Sequence, residues 1–328
     1  MILHVGQCRT FCILLLLLVL FACQRDLGTD SQPLPRLTRY YGYTFTGWEQ
    51  PIPNSALDLI SYVNTVVIDG ESDLRENLQL VAEHNMRAVV DISAVVANTI
   101  PDAWGNALDS LATGWQNLES HVTALLLIRR PFASQHLVGQ SRRSFWTTDE
   151  LDECVGLVKR KFPALNTLIV YLPSQQLATS LPALVDAIGI EYFPFRQTRM
   201  PTRTEFRQGW QDENGIIYEG IDFYINEILT SKLYRDQPLY LFGQCFGDIE
   251  TWKLPPSESQ QWYYDVVEEQ NVFGALIWWR AFEPSNTPQY SHGIFPFVLE
   301  NGTLLENLPA VIKLHREIGE RIDRPWQE

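Results

Sequence analysis

The chain contains 328 residues, of which 45% are hydrophobic and 20% are charged, so it can bury a substantial core and is not a disordered protein. Its formal net charge of −14 and the lack of a long basic run argue against nucleic-acid binding, which depends on clustered Lys and Arg. Ten Trp, 13 Tyr and 16 Phe residues supply many large aromatic side chains.

The first 22 residues have the pattern of a signal peptide. Arg9 precedes the apolar run FCILLLLLVLFA (11–22), which is shorter than the roughly 20 residues that span a bilayer. The run leads into LFAC (20–23), which resembles a bacterial lipobox. This resemblance implies cleavage before Cys23, lipidation of Cys23 and a location in the bacterial cell envelope. An ordinary secretory signal and an uncleaved anchor are the alternatives.

The segment after the lipobox is polar and short. Gln24, rather than Asp, follows the cysteine, which favours the outer membrane in a cell with two membranes. We therefore expect a signal peptide over 1–22, a lipidated tether over 23–37 and one domain over 38–328. Within that domain, the spacing of Cys154 and Cys245 indicates no metal site; we expect two buried free thiols, and one disulfide is the alternative in an exported protein.

The rest of the chain alternates apolar runs of strand length with amphipathic stretches. Nearly continuous Val, Ile and Leu runs are typical of parallel strands that are covered on both faces. The predicted strands are 39–45, 64–70, 87–93, 122–130, 166–173, 186–195, 238–246 and 272–282. The clearest helices are predicted over 73–85, 148–161, 257–270 and 304–322, the second of them after the capping pattern TTDE.

Eight strands alternating with helices over about 290 residues predict a single α/β domain of the (β/α)8 TIM-barrel type. A doubly wound open sheet is the main alternative, but the Gly-rich dinucleotide turn is missing after the first strand. In a barrel, functional groups lie at the C-terminal ends of the strands. The residues predicted at this rim include Tyr43, Asp69, Asp91, Arg129, Arg130, Tyr171, Glu191, Tyr192, Gln244, Asp248, Trp278, Trp279 and Arg280.

Two segments resemble strands of the large clan of retaining barrel-fold glycoside hydrolases. DAIGIEYFPF (186–195) is similar to the sixth strand of that clan, with its hydrophobic run, Gly, acidic residue and Tyr-x-Pro. GALIWWRAFEP (274–284) is similar to the eighth strand, where a Trp forms the floor of a sugar subsite. The resemblance covers about residues 38–320 as a strand pattern. It implies a carbohydrate ligand with Trp278 or Trp279 beneath the sugar.

The catalytic motifs of that clan are not matched. RRP (129–131) stands after the fourth strand, where the clan carries its acid/base Glu in Asn-Glu-Pro. Gln244 stands at the end of the seventh strand, where the clan carries its nucleophilic Glu. Because an amide neither attacks an anomeric carbon as a carboxylate does nor titrates, the paired-carboxylate reaction cannot run from these two positions.

Two hypotheses about function follow. In the first, the protein is a glycoside hydrolase that acts on a poly- or oligosaccharide at the cell envelope with a non-standard pair, Glu191 with Asp69, Asp91 or Asp248. In the second, it is a catalytically inactive carbohydrate-binding barrel. The predicted substrate-binding residues are Tyr43, Arg129, Tyr171, Tyr192, Gln244, Trp278, Trp279 and Arg280. We expect no metal, no other cofactor and a monomer, with the membrane as partner through the lipid on Cys23.

Structural roles compete with these assignments. Asp69 and Asp248 are each compatible with capping a turn or helix. Asp91 is compatible with an ion pair to Arg129 or its neighbour, and Glu191 with an arginine partner. Strand alternation requires that one of the two adjacent tryptophans points outward to the helices, and leaves Tyr43 and Tyr171 open between core and rim.

Overall fold

The structure is a computed structural model that describes residues 40–45, 51–71, 73–98, 104–115, 117–131, 136–138, 141–143, 146–172, 181–247, 251–281, 292–293 and 308–322. The expected signal peptide, the tether and Cys23 lie outside the described residues, as does Asp248.

Eight parallel strands close into a barrel, which confirms the predicted fold class. Around the barrel the order is β1-β13-β11-β8-β7-β4-β3-β2, so each strand lies beside the next barrel strand of the chain and the last lies beside the first. The barrel strands are β1 (Tyr40–Thr44), β2 (Thr65–Asp69), β3 (Arg87–Asp91), β4 (Val122–Arg129), β7 (Asn166–Tyr171), β8 (Ala187–Tyr192), β11 (Leu239–Gln244) and β13 (Phe273–Trp279). They coincide with the eight predicted strands to within a few residues at each end.

Helices follow most of the barrel strands. Among the described residues they are α1 (Asn54–Leu59), α2 (Leu74–Glu83), α3 (Ser93–Asn98), α4 (Trp104–Gly114), α5 (Thr148–Lys161), α6 (Arg203–Gln208), α7 (Ile221–Thr230), α8 (Ser257–Glu269) and α9 (Leu308–Gly319). A capping box starts α5, as the sequence predicts: Thr147 accepts from the backbone N–H of Glu150, whose side chain accepts from that of Thr147. No helix within the described part of the chain is long and apolar enough to cross a membrane.

Short antiparallel pairs are added at the loops. They join β5 (His136–Val138) to β6 (Ser141–Arg143), β9 (Gly209–Gln211) to β10 (Ile217–Glu219), and β12 (Phe246–Gly247) to β14 (His292–Gly293). The β9–β10 hairpin turns at Asn214-Gly215, and Gly215 has a φ of 81°, which an L side chain rarely adopts. This hairpin lies between the sixth and seventh barrel strands, where it builds part of the site described below.

Alternation along the strands separates two cores. One set of side chains fills the barrel interior, including Val67, Val89, Leu126, Val170, Phe242, Ile277 and Trp279. The opposite set packs against the surrounding helices in a larger cluster. Gly189 lets Val170 and Phe242 pack closely on the backbone of β8, since a Cβ there would lie 2.7 Å from Cγ2 of Val170 and 3.0 Å from Cε2 of Phe242.

Candidate functional site

Glu191, near the end of β8, lies between two arginines from the end of β4. Its side chain is fully buried. Arg129 donates to Oε1 from Nε at 3.2 Å and from Nη2 at 3.1 Å, and Arg130 donates to Oε2 from Nε at 2.6 Å. Charge-assisted bonds of this kind to both oxygens compensate for the loss of hydration of a buried carboxylate. Both oxygens of Glu191 are therefore used within the protein.

Arg129 also approaches a second acid, Asp91 at the end of β3. Its Nη1 lies 3.8 Å from Oδ2 of Asp91, whose Oδ1 accepts from the backbone N–H of Ser93 at 2.9 Å. Burial raises the pKa of Asp91, Arg129 and the bonds from Ser93 oppose that rise, and the nearby charge of Glu191 adds to it. We call Asp91, Arg129, Arg130 and Glu191 the carboxylate–arginine cluster.

An aromatic ring supports the cluster from within the barrel. The guanidinium carbon of Arg129 lies 3.8 Å from the ring centroid of Trp279, which faces the interior near Phe242. This cation–π contact and the bonds to Glu191 fix the arginine plane. Trp279 therefore lies at the end of β13 with Arg129 over its ring.

Arg130 has a strained backbone. Its φ is 54°, in the left-handed region that non-glycine residues seldom occupy, and its N–H donates to the carbonyl oxygen of Val170 at 2.7 Å. Such strain persists where surrounding contacts enforce it, and it clusters at binding and catalytic sites. Here it directs the Arg130 side chain toward Glu191 while leaving 39% of that side chain exposed.

A cavity of about 350 Å³ opens beside Arg130 and Glu191. Five half-buried aromatic side chains line it, and two further charged groups, Arg196 and Glu219, complete its polar lining. The aromatic residues are Phe193, Trp210, Tyr218, Tyr224 and Trp252. The rings of Trp210 and Tyr218 stack across the β9–β10 hairpin with centroids 4.9 Å apart and planes 10° apart. The cavity is thus a concave aromatic surface with charged groups on its walls, as small-ligand sites commonly are.

None of these five aromatic residues was predicted as a site residue. Trp210 and Tyr218 stand on the hairpin between the sixth and seventh barrel strands, and Trp252 follows the seventh. The sequence carried one usable signal, because the dipeptide Asn214-Gly215 is typical of a hairpin turn. Nothing local, however, indicated that this hairpin packs beside β8.

Gln244 is buried at the end of β11 and is fully used by backbone groups. Its Nε2 lies within hydrogen-bond distance of the carbonyl oxygens of Phe195 (2.9 Å), Phe246 (3.2 Å) and Lys253 (3.0 Å). Its Oε1 accepts from the N–H of Phe195 at 3.1 Å. The prediction that Gln244 contacts the ligand is therefore corrected, because its amide ties the loop after β8 to the loop after β11.

Three predicted rim residues point away from the barrel mouth. Tyr43, Tyr171 and Trp278 are fully buried in the layer between the barrel and the helices. Trp278 stacks on the ring of His315, with centroids 4.3 Å apart, and donates from Nε1 to the hydroxyl of Tyr41 at 2.9 Å. The expectation that these three face the ligand is corrected, because strand alternation turns them outward.

Tyr43 belongs to a chain of hydrogen bonds in this outer layer. Its hydroxyl lies 2.9 Å from that of Tyr62 and 2.7 Å from Nδ1 of His315. Nε2 of His315 lies 2.5 Å from Oε1 of Gln260. Burial lowers the pKa of His315 to about 3. We call Tyr43, Tyr62, Gln260 and His315 the tyrosine–histidine network, which joins β1 to α8 and α9.

The remaining three predicted residues lie at different places on the barrel. Tyr192 borders the cavity, but its ring packs on Phe206 and its hydroxyl donates to the Phe206 carbonyl at 3.0 Å. Asp69 is half-buried at the end of β2, in register with Asp91 on β3. Arg280 is exposed just after β13, with a φ of 54°. None of the three is an element of the carboxylate–arginine cluster.

A larger groove of about 910 Å³ lies elsewhere, between α2 and α4. Helix residues such as Arg75, Gln79 and Ser110 line most of it, and it includes none of the residues predicted to be catalytic or substrate-binding. Within the described ranges, no group of three or more His, Cys, Asp or Glu residues is arranged to hold a metal ion. Cys154 and Cys245 are buried and unpaired, as predicted.

Solved structures that share this fold include glycoside hydrolases. A proposed α-L-fucosidase from Bacteroides thetaiotaomicron aligns with 88% of this chain and 95% of its own, at 9% identity and a TM-score of 0.54. A psychrophilic family 10 endo-β-1,4-xylanase aligns with 84% of this chain and 96% of its own, at 10% identity and a TM-score of 0.51. A β-D-glucuronidase from Dictyoglomus thermophilum aligns with 90% of this chain, at 12% identity and a TM-score of 0.55, and this chain spans 52% of its length.

No protein-family model matches the chain, and no curated protein sequence matches it. At identities of 9 to 12%, the structural likeness defines the fold. The chain is therefore an α/β protein with a glycoside hydrolase-like (β/α)8 barrel, and its site differs from the catalytic pattern of the retaining clan at both expected glutamates.

Proposed function

We propose that this protein binds a carbohydrate in the cavity beside Glu191 and does not cleave it with Glu191 or Gln244. The observation that carries this proposal is the use of all four polar atoms of these side chains inside the protein. A glycosidase needs one carboxyl directed at the glycosidic oxygen and a second at the anomeric carbon or a water. Glu191 is instead directed at two arginines, and Gln244 at backbone groups.

The cavity supports carbohydrate as the ligand. Aromatic faces pack on the apolar C–H faces of sugar rings, and charged side chains hydrogen-bond to the hydroxyl groups. The five half-buried aromatic side chains that line the cavity offer apolar ring surface of this kind, and Arg130 supplies donors near the buried end of the cavity. The shared fold of the glycoside hydrolases agrees with a sugar ligand.

The proposal places this binding barrel at the bacterial cell envelope. The apolar run 11–22 and the lipobox-like LFAC (20–23) support a lipid anchor on Cys23. The tether then holds the barrel near the membrane surface. Mass spectrometry of the purified chain tests this part: we expect an acylated N-terminal Cys23, and an unmodified Met1 would contradict it.

A second candidate function is hydrolysis by Asp69 and Asp91. One observation favours it: the two acids are in register on adjacent strands, and burial raises the pKa of Asp91, as suits a general acid. This candidate requires Asp91 to release its contact with Arg129. It is distinguished from binding alone by the turnover of Asp91→Asn.

The experiment compares binding and turnover on the same ligands. The full-length protein in detergent is screened on a glycan array, and each bound glycan is incubated with it and assayed for new reducing ends. We expect binding without turnover, and no change in turnover in Glu191→Gln. Turnover that Glu191→Gln abolishes would contradict the proposal, and turnover that only Asp91→Asn abolishes would establish the second candidate.

The stacked aromatic pair provides a test of where the sugar binds. Trp210→Ala should weaken binding about tenfold, because aromatic residues in concave sites commonly carry that share of the binding free energy. Ile217→Ala is the matched control, since Ile217 is on the same hairpin, is 65% exposed and does not line the cavity. Equal affinities of the two variants would place the ligand outside this cavity.

A further inference from the structure

Arg196, on the wall of the cavity, is held in place by an aromatic ring. It is half-buried, and its guanidinium carbon lies 4.3 Å from the ring centroid of Trp252. Its backbone is also fixed, because its N–H and carbonyl are paired with those of Arg199 at 3.0 and 3.1 Å. A guanidinium group stacked on a Trp ring keeps its N–H groups free to donate hydrogen bonds to a ligand in the guanidinium plane.

The charge of Arg196 is not neutralised within the described part of the chain. No carboxylate there lies within 4.0 Å of its guanidinium nitrogens, although Glu219 lines the same cavity. The neighbouring arginines differ: Arg130 is paired with Glu191, and Arg199 with Glu205. In a chain with a net charge of −14, a half-buried arginine without an acid beside it is the exception in this region.

We propose that the carbohydrate is acidic and that Arg196 binds its anionic group, a uronic-acid carboxylate or a sulfate ester. This inference rests on the proposed function and names the class of sugar. A planar guanidinium donates two parallel hydrogen bonds to either oxyanion, and binding of that group supplies the counter-charge that the protein lacks at this place. The sugar ring then lies against the aromatic wall formed by Trp210 and Tyr218.

The orientation of the ligand follows from the other charges of the cavity. Glu191 is covered by its two arginines, so the buried end presents the part-exposed Arg130 rather than a bare carboxylate. Glu219 repels an anion placed close to it. The acidic group is therefore directed toward Arg196 and Arg130, and the hydroxyl groups toward Glu219.

The test uses matched probes. Isothermal titration of the full-length protein is carried out with oligogalacturonate, with the same oligosaccharide after reduction of its carboxylates to alcohols, and with the reduced oligosaccharide after sulfation. We expect at least one acidic probe to bind about tenfold or more tightly than the neutral one. Its affinity should fall as salt is raised, and that of the neutral probe should not. Preference for carboxylate or for sulfate then identifies which oxyanion is bound.

Two arginine variants separate recognition from general charge. Arg196→Gln should remove the preference for the acidic probe and its salt dependence. Arg203→Gln should leave both unchanged, since Arg203 is 58% exposed on α6 and pairs with Asp265. Arg196→Lys, which keeps the charge but not the fork, should bind with intermediate affinity. Thermal unfolding of all variants shows whether they are folded.

The outcomes distinguish failure of this inference from failure of the proposed function on which it rests. Equal binding of acidic and neutral probes by the wild type, or an unchanged preference in Arg196→Gln, overturns the acidic-sugar inference and leaves carbohydrate binding in place. Failure of all three probes to bind overturns the acidic-sugar inference, and the proposed function is overturned as well only if the glycan array shows no bound glycan.

Discussion

The carboxylate–arginine cluster and the tyrosine–histidine network are both buried polar groups on barrel strands, but they are built differently. The cluster, on the inner side of β3, β4 and β8, pairs full charges and borders a cavity. The network, on the outer side of β1, joins neutral groups, and His315 at its centre is completely buried. By residue type alone, both sets of residues would be predicted to bind a ligand or to act in catalysis.

The difference shows that the role of a polar residue at a strand end depends on its hydrogen-bond and ion-pair partners. Each neutral group of the network has a neutral partner inside the protein, which satisfies it and leaves nothing for a ligand. Gln244 follows the same rule, since its partners are backbone groups. The cluster instead leaves 23% of Arg129 and 39% of Arg130 exposed beside open space. Changes in the network should therefore alter stability alone, whereas changes around the cluster should also alter binding.

The largest expected effect is that of restoring a glutamate at the end of β11. In Gln244→Glu an anion would face the carbonyl oxygens of Phe195, Phe246 and Lys253 without a donor from them. We expect a loss of roughly 4 kcal/mol in the free energy of unfolding at pH 7, by urea titration, as for an uncompensated buried charge. Gln208→Glu, at an exposed position, is the control. A Gln244→Glu protein as stable as the wild type would show that these backbone groups do not hold the Gln244 amide.

Within the carboxylate–arginine cluster, Glu191→Gln should lower the free energy of unfolding somewhat less than Gln244→Glu does. The amide leaves two arginines without their shared carboxylate, but water can reach both guanidinium groups. We expect a loss of about 3 kcal/mol in the free energy of unfolding, at the lower end for a broken buried pair. Glu83→Gln, exposed at the end of α2, should be neutral. If the two variants unfold at the same urea concentration, the cluster does not hold β4 to β8.

The network predicts a pH dependence of stability. Because burial lowers the pKa of His315 to about 3, the unfolded chain takes up a proton near pH 6.5 that the folded protein does not. Stability from this group is complete above pH 6.5 and is lost as the pH falls toward 3. Between pH 6.5 and 5 the loss should be roughly 2 kcal/mol.

The control for this pH dependence is His315→Gln, which cannot titrate. Its free energy of unfolding should start lower at pH 7 and should fall less between pH 6.5 and 5 than that of the wild type. Parallel curves for the two proteins would mean that folding does not change the pKa of His315.

The smallest expected effect distinguishes Trp278, which is buried in the outer layer, from Trp210 on the hairpin. Trp278→Phe removes the donor to the Tyr41 hydroxyl and should cost about 1 kcal/mol of stability without changing carbohydrate affinity. Trp210→Phe should instead leave stability within about 0.5 kcal/mol, because the residue is half-buried on a hairpin, and should weaken binding. The reverse pattern would exchange the roles assigned to the two residues.

Local patterns were sufficient to predict the barrel and to single out Glu191 as an unusual residue. The eight apolar runs are long, nearly continuous and separated by helix signals, so their number and type are fixed by short-range chemistry. Glu191 stood out because a charge within an apolar strand must be paired or functional. The structure shows that it is paired.

Side-chain direction could not be read in the same way. When both faces of a strand are apolar, as in Phe273–Trp279, the sequence carries no alternation from which to choose between Trp278 and Trp279. The same holds for Tyr43 in a strand that is buried throughout. These assignments required the closed sheet, which sets which Cβ atoms face the interior.

The amino-acid sequence by itself determined the eight strands and the absence of glutamate at Arg130 and Gln244, because these depend on residues that are close in the chain. Only the tertiary structure decided which polar groups meet. The contacts of Glu191 with Arg129 and Arg130, of Gln244 with the Phe195 backbone and of Arg196 with Trp252 join residues about 50 or more positions apart. Such contacts are set by closure of the barrel and packing of its loops, for which no local pattern exists.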